Sequence, residues 1–205
     1  MDRKKYFLQV FRKVEKKYGK SDKRLAGESW GAPWRTLVVT IMSAQSRDET
    51  TIPIAERLFR RYNTLEKLAY AKQSDVLRIF KSLNYNRTKA KHVIGAVKFI
   101  RDEFNGKVPS EIDELVRIPG VGRKTANLIL TEVYRKDAIC VDTHVMRLSN
   151  VLGLVNTKTP HQTEIELEKI VPKKLWGRVN RMFVLWGREV VGRDKKKLLR
   201  KLEEK

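Results

Sequence analysis

Residues 110–150 read SEIDELVRIPGVGRKTANLILTEVYRKDAICVDTHVMRLSN, and the fold turns on them. Ser110 to Asp113, followed by Leu115 and Val116, signals a short helix, and apolar residues at Ala126, Leu128, Ile129, Leu130 and Val133 signal a second. Between them stands Ile118-Pro-Gly-Val-Gly122. Pro119 is expected to end the first helix, and Gly120 and Gly122 to permit positive φ while leaving no side chain in front of an approaching group. The second helix begins there with its positive dipole end, which favours an anion, and Arg123 and Lys124 in its first turn make phosphate the natural one. On these residues alone, a well-capped helical hairpin that binds nothing is an equal reading.

Composition narrows the partner. Lys and Arg total 45 against 24 Asp and Glu, a formal charge of +21 on 205 residues. A thermophile-style surface explains high total charge but not so strong a bias of sign, so the expected partner is a polyanion, nucleic acid above all. The single cysteine, Cys140, provides neither a disulfide framework nor a cysteine-ligated metal site, and His92, His144 and His161 lack ligand spacing. No apolar run approaches a membrane span, and Met1-Asp-Arg-Lys-Lys lacks a signal peptide's apolar core. An intracellular protein of the cytoplasm or nucleoid, without a membrane partner, is expected.

Nothing alternates as strands do for long, so the expectation is all-α. The pattern predicts an amphipathic helix over 2–18, a connector over 19–31, and a strongly apolar helix from Trp34 to Gln45. Two or three short helices follow over 49–62 and 64–80, with Thr64 and Ser74 as N-caps. The turn Ser82-Leu-Asn-Tyr-Asn-Arg-Thr-Lys-Ala90 leads into a helix running to about Phe104. Beyond Asp142 the pattern predicts helices to about Gly153, over 162–170 and over 174–191, and a charged tail from Arg193 as a helix that frays.

Chemistry enters with Lys124, just inside the second hairpin helix, and Asp142, in Val141-Asp-Thr-His144. An amine and a carboxylate on adjacent segments suit a nucleophile and its electrostatic partner. Each also has a plainer reading: a phosphate contact at a helix N-terminus for Lys124, and an N-cap for Asp142. Taken together, Ile118-Pro-Gly-Val-Gly-Arg-Lys-Thr-Ala-Asn127 and Val141-Asp-Thr-His-Val145 resemble the helix-hairpin-helix DNA glycosylases of the endonuclease III type. Two separated motifs keep their internal residues and their mutual spacing, over a match covering roughly residues 30–190.

The resemblance implies two helical domains flanking a DNA-binding cleft. One is a six-helix domain over 26–137 containing the helix-hairpin-helix at 110–135; the other combines 1–25 with 138–205. It makes Lys124 and Asp142 catalytic and gives Gly120, Gly122, Arg123 and Thr125 to DNA binding, with His144 either structural or a phosphate contact. Gln45, which local pattern alone reads as a helix cap, would fill the gap left by an extruded base. Tyr85 would wedge into the stack opposite it, or simply cover the start of its helix.

The implied reaction turns the damaged nucleotide out of the duplex. Lys124 attacks C1′, which requires a neutral amine, and the resulting Schiff base permits β-elimination of the 3′ phosphate. Asp142 stabilises positive charge on the sugar. The expected partner is double-stranded DNA carrying a damaged base, an oxidised pyrimidine such as thymine glycol, or an abasic site, with the protein a monomer. One departure stands out: this group commonly ends in four cysteines that bind an iron–sulfur cluster, and the present tail has none. No cluster is expected, with Trp176, Phe183 and Trp186 packing in its stead and Lys195, Lys196 and Lys197 supplying charge. Open alternatives are a monofunctional, mismatch or 8-oxoguanine glycosylase, and a non-enzymatic helix-hairpin-helix DNA-binding protein.

Overall fold

Leu37, Val38, Val39, Ile41 and Met42 are each no more than 3% exposed, so their helix is apolar on every side and has to be enclosed by others. The computed structural model describes residues 2–204 and contains no strand among them. Its α-helices are α1 (Arg3–Tyr18), α2 (Pro33–Ser43), α3 (Asp48–Arg61), α4 (Leu65–Ala69), α5 (Gln73–Ile79), α6 (Asn86–Phe104), α7 (Ile112–Leu115), α8 (Arg123–Glu132), α9 (Thr143–Leu152), α10 (Pro160–Ile170), α11 (Trp176–Glu189) and α12 (Lys195–Lys201). Residues 24–135 form one compact unit, and the remaining described residues, from both sides of it, form a second.

In the central unit, α2 is packed by α3, α6 and α8, while α4 and α5 lie on α6. Helix α6 buries Ala90, Val93, Ile94, Ala96, Val97 and Ile100, the i, i+3, i+4 stripe of a core-facing helix. It ends where Asn105 (φ 50°) and Gly106 (φ 75°) turn left-handed, with the Gly106 N–H donating to the Ile100 carbonyl at 3.0 Å. That stop redirects the chain toward the hairpin. Thr64 caps α4 as predicted, its hydroxyl accepting from the Lys67 N–H at 3.2 Å. Ser74 does not cap α5: the helix starts two residues earlier, with Lys72 as its N-cap. Pro119 does not end the first hairpin helix either, because α7 is a single turn that stops at Leu115.

In the terminal unit, α11 buries Val179, Met182, Phe183, Val184, Leu185 and Trp186 against α1 and α9. The rings of Phe183 and Trp186 meet edge-to-face at 5.9 Å, and Phe7 and Phe11 stack at 5.3 Å, so aromatic area dominates this core. Trp176 is only half-buried, its indole N–H donating to the Val171 carbonyl at 2.9 Å. The tail is better anchored than its charge predicts. Asp194 caps α12 through the Lys196 and Lys197 N–H groups, Leu198 is fully buried, and the Lys195 ammonium donates to the Leu152 carbonyl at 2.8 Å.

Candidate nucleic-acid interface and active site

Ile118 and Val121, 1% and 6% exposed, pin the hairpin between α7 and α8. The Val121 N–H donates to the Ile118 carbonyl at 3.0 Å across Pro119 and Gly120 (φ 80°), the arrangement of a type II turn. Gly120 therefore needs to be glycine on backbone grounds. Gly122 does not: its φ is −97°, an extended value open to any residue, and a Cβ there would meet nothing within 4 Å. The expected positive φ holds for Gly120 alone, while at Gly122 the missing side chain leaves open space beside the helix start.

Gly122 is the N-cap of α8 and offers no side-chain cap. Arg123 and Lys124 follow it on the exposed side, with Thr125 half-buried, before Ala126 at 0% exposure fixes the helix to the core. The N-terminal partial charge of α8 and two adjacent cations thus face outward together. Such an arrangement suits a phosphate diester and presents a primary amine beside it.

Gln45 and Tyr85 both lie in the same unit as the hairpin, and both are exposed. Their φ values, 52° and 54°, put two side-chain-bearing residues in the left-handed region, at a cost of roughly 1–2 kcal/mol each. The Asn84 amide donates to the Gln45 carbonyl at 2.7 Å, and the Lys89 ammonium donates to the Ser46 hydroxyl at the same distance. Tyr85 is 66% exposed and is the N-cap of α6, with no side-chain cap hydrogen bond. Lys89 is 4% exposed, and burial pushes its amine down to about 8.

Asp142 belongs to the terminal unit and is half-buried. It is the N-cap of α9, a carboxylate oxygen accepting from the Val145 N–H at 2.8 Å. Asn180 of α11 holds the preceding strand-like run by donating to the Cys140 carbonyl at 3.0 Å. Arg147, one turn into α9, donates to the Gly187 and Gly192 carbonyls at 2.8 and 2.6 Å, tying the helix to the end of α11. His144 packs on Gly187, where a Cβ would stand 2.7 Å from its Nδ1. Burial, ahead of the nearby Arg147 and Arg188 charges, pushes the imidazole below its ordinary value despite Asp142 beside it. Its contact within the described residues is with α11.

Asn84, Lys89, Ser46 and His92 were not singled out by sequence. Lys89 carries a signal that could have found it, since it falls on the α6 stripe with Val93, Ala96 and Ile100 where an apolar residue belongs.

Residues 38–173 match the family described as HhH-GPD superfamily base excision DNA repair protein. Endonuclease III of Thermotoga maritima is 41% identical over 158 residues, covering 77% of this chain and 74% of that protein. Endonuclease III of Synechocystis is 39% identical over 159 residues, covering 77% and 73%. Among solved structures, a trapped endonuclease III–DNA covalent intermediate superposes with a TM-score of 0.85 at 28% identity, covering 94% of this chain and 90% of that one. The family match over residues 38–173, together with 41% identity to an endonuclease III across most of the chain, leads to one assignment: this protein belongs to the HhH-GPD superfamily of base excision DNA repair proteins.

Proposed function

We infer that the chain is a base-excision-repair DNA glycosylase with AP lyase activity, of the endonuclease III type, and that Lys124 and Asp142 are its reacting groups. The observation that carries this reading is the likeness to an endonuclease III caught covalently on DNA. A covalent intermediate requires a nucleophile, and Lys124 is a primary amine at the exposed, phosphate-favouring start of α8.

In this reading the hairpin and its cations hold the phosphates of duplex DNA, and the damaged pyrimidine, oxidised at its 5,6 bond, leaves the stack. The Lys124 Nζ forms a bond to C1′ as the bond to the base nitrogen breaks, and the base leaves with its electron pair and takes up a proton. Opening of the sugar gives a Schiff base, and loss of a C2′ proton expels the 3′ phosphate. Asp142 stabilises the positive charge on the sugar while its hydrogen bond to the Val145 N–H fixes its direction. The enzyme acts as a monomer, with Gln45 and Tyr85 entering the duplex, in the compartment that holds the cell's DNA.

An iron–sulfur cluster does not fit these residues. Four thiolates are required and the sequence has one cysteine, Cys140, which is 1% exposed on the run leading to Asp142. The Phe183–Trp186 pair and the Asp194-capped α12 supply the order of the C-terminal segment instead.

Borohydride trapping on a duplex containing thymine glycol tests the reading. The native chain is expected to give a covalent adduct and Lys124→Ala none, while Asp142→Asn abolishes base release. Base release without an adduct would assign the chemistry to Asp142 and water; neither product would overturn the enzyme assignment for this substrate.

A further inference from the structure

Gln45 and Tyr85 are 40 positions apart in sequence, yet their backbones share one set of fastenings. The residue before Tyr85, Asn84, donates its side-chain amide to the Gln45 carbonyl at 2.7 Å. The residue after Gln45, Ser46, accepts through its hydroxyl from the Lys89 ammonium at 2.7 Å. Lys89 also donates its own backbone N–H to the Tyr85 carbonyl at 3.0 Å, so one residue grips both turns. All these groups lie in the central unit.

The two turns need such fastening. Each carries a residue with a side chain in the left-handed region, φ 52° at Gln45 and 54° at Tyr85, a conformation that persists only where its surroundings impose it. The exposed side chains themselves impose nothing. The fastening is also costly in kind: Lys89 is 4% exposed, and among the described residues no carboxylate pairs with it. A buried ammonium whose partner is a hydroxyl destabilises a fold relative to an apolar side chain on the same stripe. Its contribution is local order in the turns.

We propose that Asn84 and Lys89 are positioning residues that clamp the Gln45 turn to the Tyr85 turn, so that the two side chains enter the duplex as one rigid wedge. The proposal rests on the glycosylase reading above and adds to it the groups that set the wedge's geometry. Opening a paired lesion requires both strands to be held apart at once; two independently mobile turns would lose that concerted fit through ordering entropy on binding.

The test compares the native chain with Asn84→Asp, which keeps the shape and removes the donor, and Lys89→Met, which keeps the length and removes the ammonium. Single-turnover base release is measured from thymine glycol in a fully paired duplex, strand cleavage is measured at a preformed abasic site, and thermal unfolding is followed for each chain. The clamp predicts at least a ten-fold fall in base release from the paired lesion, abasic-site cleavage within three-fold of native, and for Lys89→Met an unfolding temperature no lower than native. A Gln45→Ala change should then add little to Asn84→Asp. Unchanged base release in both variants would overturn the clamp, as would equal losses on the two substrates, which mark a general structural role. Inactivity of the native chain on both substrates would instead fail the glycosylase reading.

Discussion

The side chain of His92 occupies the space in front of Gly120: a Cβ on that glycine would stand 2.7 Å from the His92 Cβ and 2.9 Å from its Cγ. One turn further along α6, Gly95 faces Pro119, where a Cβ would stand 3.3 Å from the proline Cβ. The hairpin is thus seated on α6 by two glycine contacts, one from each side of the interface.

Gly120→Ala should destabilise the chain by about 2–3 kcal/mol, because a left-handed φ of 80° and the contact with His92 act together. Adding His92→Gly, which removes the Cβ that a new methyl would meet, should recover the contact portion and leave the backbone portion, once the cost of His92→Gly alone is subtracted. Chemical unfolding of the single and double variants measures both.

Gly122→Ala should behave oppositely. With φ at −97° and open space around the new methyl, stability should stay within about 0.5 kcal/mol of native. Affinity for an abasic-site duplex should nevertheless fall several-fold, since the methyl would stand where a phosphate meets the start of α8. Equal affinity in a titration would show that no phosphate comes that close.

Asp142 has two duties that substitution can separate. Asp142→Asn keeps an oxygen for the Val145 N–H and should leave stability nearly native, whereas Asp142→Ala should lose about 1 kcal/mol through the empty cap. Both should lose base release alike. Thermal unfolding beside a glycosylase assay reads the two effects independently.

Lys89 makes stability depend on alkaline pH in a defined direction. Its amine sits at about 8 in the folded chain against an ordinary 10.5, so between these values the unfolded chain holds the proton that the folded chain has released. The destabilisation is full below pH 8, fades as pH rises through this window, and is absent above it. Relative to Lys89→Met, the native chain should therefore gain roughly 2–3 kcal/mol between pH 8 and pH 10.5. Denaturant unfolding at both ends of the window checks this; a flat difference would show that the ammonium is solvated.

Much of this protein is local in origin, and those parts were legible from the sequence. The all-α class follows from 3.6-residue periodicity in segments such as 86–104 and 176–189, where burial tracks apolar spacing. Thr64 as a cap and the Pro119-Gly120 turn follow from residue types within a few positions of each other. The glycosylase assignment likewise came from two short motifs. Where local signals competed, local reading failed: Ser74 was a plausible cap beside Lys72, and the tail's charge concealed the two buried leucines, Leu198 and Leu202, that dock it.

What the chain's order could not disclose are relations between residues far apart along it. Asn84 meets Gln45 across 39 positions, Lys89 meets Ser46 across 43, and His92 meets Gly120 across 28. The sequence by itself determined which segments are helices and where the hairpin lies, because each depends on bonds within one or two helical turns. Only the tertiary structure decided that Asn84 bonds to the Gln45 carbonyl, that Lys89 is buried and that, of the two hairpin glycines, Gly120 alone has no room for a side chain. Packing brings those groups together from distant segments, and no local spacing encodes that distance.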